Sequence, residues 1–281
     1  MNKKERLDVF HSRRTWVACI IAIAVIYLVG AFIWGRSLKP DSYAVHYADK
    51  FIAPCWEHPF GTDFMGRDMF ARSLRGLSTS LLIGVLAAVV SSVIALFLGI
   101  VSAVCGGWVD KLVNWAIDLC MGLPHLVLLL LISFMMGRGA KGITVAVALT
   151  HWPALSRMVR AEVLQIKNSQ YVQTAYKMGV SPWKVAMTHM VPHVLPTYLI
   201  GLMLLFPHAI MHEASVTFLG FGLPAEMPSI GVILSEAMNH IVTGKWWMAV
   251  FPGLLLLVAL MLFDALGENL KKLWNPNSGN E

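Results

Sequence analysis

Two histidines lie four residues apart in a long apolar segment, where titratable side chains are rare. His208 and His212 share one face of a helix, one turn apart. Ionisable groups in such a segment are costly in hydrocarbon, so they mark candidate functional sites. Two imidazoles at this spacing predict a shared site for a metal ion such as nickel or zinc. The alternative is that each ring forms a hydrogen bond to a neighbouring helix.

Two further polar residues lie in apolar segments. His151 either contributes another ligand to the same pathway or forms a hydrogen bond across helices. At 3.6 residues per turn, Glu213 lies about 140° around the helix from His208, so these side chains do not predict one cluster. We expect Glu213 to contact a neighbouring helix or a partner subunit.

No motif in the chain predicts catalysis. The sequence has no GxxxxGK[ST] loop that could cradle the phosphates of ATP, and it shows no arrangement of nucleophile and base. Its four cysteines lack the spacing of metal ligands or of a redox pair. We therefore expect a protein that is not an enzyme and that binds no cofactor of its own.

The composition indicates an integral membrane protein. Of the 281 residues, 57% are hydrophobic and only 14% are charged, whereas about a quarter of the residues in a soluble domain are charged. The net charge of +6 comes from basic residues that lie between apolar runs, as in the cytoplasmic flanks of membrane spans. We therefore expect a lipid bilayer as the surrounding solvent and no nucleic acid partner.

Six apolar runs are long enough to cross a membrane, which takes about 20 residues. They cover residues 15–35, 78–105, 112–137, 143–164, 195–219 and 248–268. The first run is too long for the core of a cleaved signal peptide, and the residues that precede it are basic: Lys3, Lys4, Arg6, Arg13 and Arg14. Both termini are therefore predicted in the cytoplasm. The predicted fold class is all-α integral membrane, with six transmembrane helices.

These spans divide the chain into three parts. Residues 1–77 comprise the N-terminal tail, the first helix and an outer segment, residues 78–270 form the transmembrane core, and residues 271–281 form a cytoplasmic tail. Small residues recur along the second span and predict close helix packing and a subunit interface. These residues are Gly84, Ala88, Ser91, Ser92, Ala95 and Gly99.

The segment 167–193 lies between spans, yet its pattern predicts a folded unit. Residues 170–178 favour a helix that ends at Gly179, a suitable C-cap, and Pro182 suits the first position of a second helix. Pro192, with another proline four residues later, is expected to end this unit before the fifth span. Because the unit is basic and amphipathic, it predicts a cytoplasmic docking surface. The alternative is a connection that lies on the membrane.

Three blocks of sequence resemble one family, the C-type permease subunits of peptide and nickel ABC importers. The first is similar to the "LGTDxxGRD" signature and contains Gly61, Thr62, Asp63, Gly66, Arg67 and Asp68. The second is similar to the "EAA" loop that couples a permease to its ATPase, and it contains Tyr171, Gln173, Ala175, Gly179, His189 and Pro192. The third begins at Glu213 and resembles the "EAxLSFLGLG" block.

The resemblance covers nearly the whole chain, with three departures. Gln173 stands where the loop usually has a glutamate, which removes a charge from the expected contact with the ATPase. His193 replaces an asparagine, and Asn275-Pro276 replaces an aspartate-proline pair near the C-terminus. These changes leave the implied architecture intact.

The resemblance implies a type I importer permease in the cytoplasmic membrane of a prokaryote. A second, related permease would pair with this chain, and two ATPase subunits would dock on the coupling loops and use ATP. An extracytoplasmic binding protein would deliver the substrate. Hydrolysis would drive alternating access of a central pathway.

The resemblance leaves the substrate open between two classes. His151 with the adjacent Trp152, and the His208–His212 pair, are similar to the nickel-permease branch, so nickel or a metal chelate is the main prediction. A di- or oligopeptide is the alternative. A stand-alone channel or secondary transporter is disfavoured, because the sequence shows no evident inverted repeat of broken helices.

Overall fold

The computed structural model describes the backbone of residues 3–274 and the side chains of residues 15–272. In this range the chain is helical, apart from connections and one isolated β-bridge between Thr62 and Asp68. The α-helices are α1 (Lys3–Ser37), α2 (Met69–Cys105), α3 (Gly107–Gly122), α4 (His125–Met135), α5 (Gly139–Lys167), α6 (Gln170–Lys177), α7 (Pro182–Val185), α8 (Val191–Phe218), α9 (Ile230–Ile241) and α10 (Trp247–Trp274). The side chains of the N-terminal basic residues and the Asn275-Pro276 pair lie outside the described residues.

Four helical stretches of the described chain are long and apolar enough to cross a membrane: Thr15–Ser37, Met69–Cys105, Pro182–Phe218 and Trp247–Lys272. They confirm the first, second, fifth and sixth predicted spans. The second starts at Met69 and not at residue 78, because the carboxylate of Asp68 caps α2 by accepting a 2.8 Å hydrogen bond from the Ala71 amide.

The third predicted span is wrong as a single straight helix. α3 and α4 meet at a bend of 100°, and they qualify as one further crossing only when taken together. Leu123 has an extended backbone and precedes Pro124, and a residue before proline is disfavoured in the helical region. The bend places His125 at the first position of α4.

The fourth predicted span coincides with α5, which contains charged and polar residues and is not among the four apolar stretches. Its crossing of the membrane stays a prediction. The sequence pattern also missed α9, a short helix capped by Ser229, whose hydroxyl accepts a hydrogen bond from the Val232 amide. α9 packs against α8 and α10.

α2 forms the centre of the bundle and packs against α1, α5 and α8. The small residues of α2 allow this close approach, as predicted. A Cβ on Gly84 would lie 2.3 Å from Cγ1 of Ile210, and a Cβ on Gly99 would lie 2.8 Å from Cβ of Val159. These positions therefore pack α2 against α8 and α5 within the chain, and not at an interface with another subunit.

Candidate functional site

A cavity of about 380 Å³ opens among α3, α4, α5 and α8. Four histidines line it, namely His125, His151, His208 and His212, and its lining contains no Asp, Glu, Lys or Arg. The helices fix these side chains: His125 begins α4 directly after the bend, while His151 lies in the middle of α5 and the other two lie in α8. The polar side chains of the lining are therefore the four imidazoles and the Thr150 hydroxyl, and the rest of the lining is largely apolar.

Three of these imidazoles come together in a cluster. The ring centroids of His125 and His212 are 4.5 Å apart, those of His125 and His151 are 4.8 Å apart, and those of His151 and His212 are 5.1 Å apart. One ring nitrogen from each residue lies within 4.8 Å of the corresponding atoms of the other two. We call His125, His151 and His212 the histidine cluster.

His208 lines the cavity but does not belong to the histidine cluster. Its side chain is exposed, whereas His151 is buried and His212 is half-buried. The predicted pairing of His208 with His212 is therefore replaced by a grouping of His212 with residues from α4 and α5. The sequence pattern did not identify His125, because its position depends on the α3–α4 bend, which brings this residue beside α8.

The hydrogen bonds of His151 define its orientation. Nδ1 lies 2.9 Å from the Val147 carbonyl oxygen and 3.1 Å from the Thr150 hydroxyl. A carbonyl oxygen only accepts, so Nδ1 carries the proton and donates it to Val147. In the neutral ring the lone pair is then on Nε2, which is buried and has no hydrogen-bond partner in the described part of the chain.

Glu213, the first residue of the third sequence block, is fully buried beside the cavity. Its carboxylate accepts a 2.9 Å hydrogen bond from the Thr217 hydroxyl on the same helix. Glu213 belongs neither to the histidine cluster nor to the lining of the cavity.

The first sequence block forms a buried charge cluster at the start of α2. The carboxylate of Asp63 is fully buried and accepts hydrogen bonds from Arg67 at 2.6 Å and from Arg72 at 3.1 Å. Both guanidinium groups also reach Glu236 of α9, at 3.0 and 2.6 Å. The cluster ties the outer segment to α2 and α9. The sequence pattern did not indicate a role for Glu236, because it did not predict α9.

The other residues of the first sequence block stabilise the loop that precedes α2. The Thr62 hydroxyl donates to the Asp49 carbonyl at 2.5 Å, and Asp68 binds the His58 ring at 2.7 Å while it caps α2. Gly61 and Gly66 both have positive φ angles, and a Cβ on Gly66 would lie 1.8 Å from the His46 carbonyl oxygen. These residues stabilise the loop that precedes α2, and none of them lines the cavity.

The second block folds into two short helices that meet at Gly179, as predicted. Gly179 has a φ angle of +80°. Its amide donates to the Tyr176 carbonyl at 3.0 Å, and the Val180 amide donates to the Ala175 carbonyl at 3.1 Å. This pattern is the Schellman motif, in which glycine supplies the left-handed residue.

The expectation that Pro192 ends this unit is wrong. α7, a π-helical turn (Ala186–Met190) and α8 continue as one helical stretch from Pro182 to Phe218. Pro192 lies in the first turn of α8, and the change in hydrogen-bond pattern at the π-helical turn accommodates the missing proline N–H.

Most side chains of the segment 167–193, which we call the coupling segment after the loop that it resembles, are exposed. The rings of Tyr171 and His189 are 6.0 Å apart, and both side chains are exposed. The Gln173 side chain donates a 2.8 Å hydrogen bond to the Lys167 carbonyl, so the residue that replaces the usual glutamate turns back onto its own backbone. The segment thus presents a structured, exposed pair of short helices between α5 and α8.

Comparison with known proteins assigns this architecture to a class. Residues 95–275 match the family model of the binding-protein-dependent transport system inner membrane component. The chain belongs to this family, the membrane permeases of ABC importers. It is therefore embedded in a membrane, it acts with a partner permease and with ATPase subunits, and ATP hydrolysis occurs in those ATPase subunits.

Three bacterial permeases are similar to this chain over most of its length. The chain is 31% identical to the dipeptide transport system permease protein DppC of Bacillus subtilis over 92% of its length and 79% of that protein. It is 30% identical to the oligopeptide permease OppC of the same organism, over 97% of this chain and 89% of the relative. It is also 29% identical to the glutathione permease GsiD of Pectobacterium atrosepticum, over 94% of this chain and 88% of that protein. The names of these relatives refer to peptides and glutathione, not to nickel.

A solved structure supports the fold. The chain superposes with a TM-score of 0.59 on a chain of the MetNI methionine ABC transporter in an inward-facing conformation, with 17% identity. The match covers 74% of this chain and 98% of the other. At this identity the likeness shows the type I importer permease fold alone.

Proposed function

We propose that this chain is the permease subunit of an ABC importer whose cargo is a transition-metal ion, free or chelated, with nickel as the main candidate. The observation that carries the proposal is the histidine cluster in a cavity between membrane helices. Imidazole nitrogen suits nickel, zinc and copper. The cavity lining has no charged side chain that could pair with the ammonium or carboxylate of a peptide.

The proposed partners are a second, homologous permease, two ATPase subunits and an extracytoplasmic binding protein, in the cytoplasmic membrane of a prokaryote. Exposed apolar side chains beside the cavity, such as Met121, Leu123 and Met211, are suited to contact the second permease. The exposed Trp183 and Met187 of the coupling segment are suited to dock an ATPase subunit. In this arrangement both termini of the chain lie in the cytoplasm.

A peptide importer is the second candidate, and the relatives favour it. The relatives named above are dipeptide, oligopeptide and glutathione permeases, and they are 29–31% identical to this chain. Fold and family do not fix the cargo, because function depends on the site that the fold carries. The histidine cluster is the feature that favours metal over peptide.

The test of this proposal compares the two cargoes directly. The complete importer, with its binding protein, is placed in proteoliposomes, and ATP-dependent accumulation of radioactive nickel and of a labelled dipeptide is measured side by side. We expect nickel accumulation that an excess of dipeptide does not reduce. Accumulation of dipeptide without nickel would establish the second candidate instead.

A further inference from the structure

The histidine cluster has the features of a metal-binding site that is complete within this chain. We infer that His125, His151 and His212 bind the transported ion directly through three ring nitrogens, and that the remaining coordination positions stay open toward the cavity. This inference rests on the proposed function, which it deepens by naming the ligands and the class of ion. The ion is a divalent cation of borderline softness, such as Ni²⁺, Co²⁺ or Zn²⁺.

The first argument is the tautomer of His151. Its Nδ1–H is committed to the Val147 carbonyl at 2.9 Å, so its Nε2 presents a lone pair and no proton. Metal-binding histidines characteristically donate their other ring N–H to a backbone carbonyl or carboxylate, which fixes the ring and makes the free nitrogen more basic. His151 already has this arrangement.

The second argument is the set of buried nitrogens that lack partners. Nε2 of His125, Nε2 of His151 and Nδ1 of His212 are all buried without a hydrogen bond to any described residue. Buried polar atoms are normally satisfied, and exceptions call for an explanation. Three such atoms, one from each ring of a single cluster, are satisfied together by one cation.

The third argument is geometry. Nitrogen ligands lie about 2.1 Å from zinc, so nitrogens on one metal are separated by roughly 3 to 3.5 Å. One nitrogen of each ring in the cluster lies within 4.8 Å of the others. Binding of one ion would therefore require rotations about the side-chain bonds of His125 and His212, while the Val147 hydrogen bond holds His151.

The chemistry of the ligands suits a transported ion. Three neutral imidazoles, with no carboxylate in the cluster, discriminate against Mg²⁺ and Ca²⁺, which prefer oxygen ligands. A pathway site must also release its ion, so binding has to be strong enough for capture and weak enough for exit. Open coordination positions allow ligands that arrive with the ion, or groups farther along the pathway, to exchange with the imidazoles.

The test measures binding of Co²⁺, a spectroscopic substitute for Ni²⁺, to the purified complete importer without nucleotide. His125→Ala, His151→Asn and His212→Ala each remove one ligand. The asparagine keeps an amide near the position of Nδ1, so it preserves the hydrogen bond to Val147 while it deletes Nε2. His193→Ala is the matched control, because it removes an exposed imidazole from the same helix as His212.

We expect wild type and His193→Ala to bind one Co²⁺ per copy of this chain, with visible absorption bands that excess Mg²⁺ leaves unchanged. Each cluster variant should weaken the affinity by roughly tenfold or more, since even the loss of an outer partner of a metal ligand costs that much. The inference is overturned if wild type binds no stoichiometric Co²⁺, or if the cluster variants bind it as wild type does.

This binding assay separates the inference from the proposed function. If Co²⁺ binding is independent of the cluster while ATP-dependent nickel uptake persists, the cluster assignment falls and the metal cargo stands. If the cluster binds Co²⁺ but the importer accumulates only dipeptide, the site stands as a metal site and the proposed cargo is wrong.

Discussion

The imidazoles of His125 and His212 come from helices far apart in the sequence, yet their ring centroids lie 4.5 Å apart. The contact exists because α3 and α4 meet at a 100° bend, which turns the start of α4 toward α8. The bend at Pro124 therefore positions a residue of the candidate site.

The buried charge cluster at the start of α2 predicts a large loss of stability for Asp63→Ala. The substitution leaves the buried guanidinium of Arg72 with only one carboxylate partner, Glu236. Removal of one member of a buried ion pair costs about 3–5 kcal/mol. The free energy of unfolding, or resistance to proteolysis, of the purified complex measures this effect.

Asp118→Ala is the matched control for that prediction. Asp118 also pairs with an arginine, Arg157, but their side chains are 68% and 46% exposed. An exposed pair contributes about 0–1 kcal/mol, so this variant should differ little from wild type. Equal losses of stability for Asp63→Ala and Asp118→Ala would contradict the stabilising role of the buried charge cluster at the start of α2.

Alanine substitutions at two glycines in the long apolar helices should change the stability of the protein in opposite directions. In Gly84→Ala the new Cβ would lie 2.3 Å from Cγ1 of Ile210 and 3.0 Å from its Cα, so α2 and α8 must separate, at a cost of about 1–3 kcal/mol. Gly30 in α1 has open space around it, and Gly30→Ala should stabilise the helix by roughly 0.5–1 kcal/mol. Melting temperatures of the two variants test this, and a shift in the same direction would contradict the packing.

Composition and hydrophobic patterning could predict much of the fold. They gave the all-helical membrane class and four of the spans, because apolar length is a local property of the sequence. They could not give the α3–α4 bend: residues 112–137 are apolar enough in sum to be predicted as one span, and the effect of Pro124 depends on how each half packs. α9 was missed because a short helix between spans has no comparable hydropathy signal.

The candidate site was predictable only in part. His212 and His151 stood out because imidazoles are rare in apolar runs, and both belong to the histidine cluster. His208 has the same local signal, but helical spacing alone does not say which residues of other helices face it. His125 directly follows Pro124 near the middle of the predicted third span, and a proline followed by histidine inside an apolar run is the signal that could have found it.

Gly179 in the coupling segment predicts a conformational requirement. Its φ angle of +80° costs a residue with a Cβ about 1–2 kcal/mol, while asparagine tolerates this region better than alanine. Gly179→Ala should therefore reduce the amount of ATPase retained on the purified permease, and Gly179→Asn should reduce it less. Because the space around Gly179 is open, a steric clash does not confound the comparison, and retention unchanged in Gly179→Ala would contradict the role of the turn.

The most direct test of the central claim is ATP-dependent uptake of radioactive nickel by cells that carry the complete importer. Wild type is compared with His125→Ala, His151→Asn and His212→Ala, and with His46→Ala as control, because this variant removes an exposed imidazole that lies outside the cavity and the segment 167–193. The account predicts that each cluster variant loses most of the uptake, that the control retains it, and that excess dipeptide does not compete. Nickel uptake that survives all three cluster substitutions would contradict the role of the histidine cluster, and uptake that dipeptide abolishes would favour a peptide cargo instead.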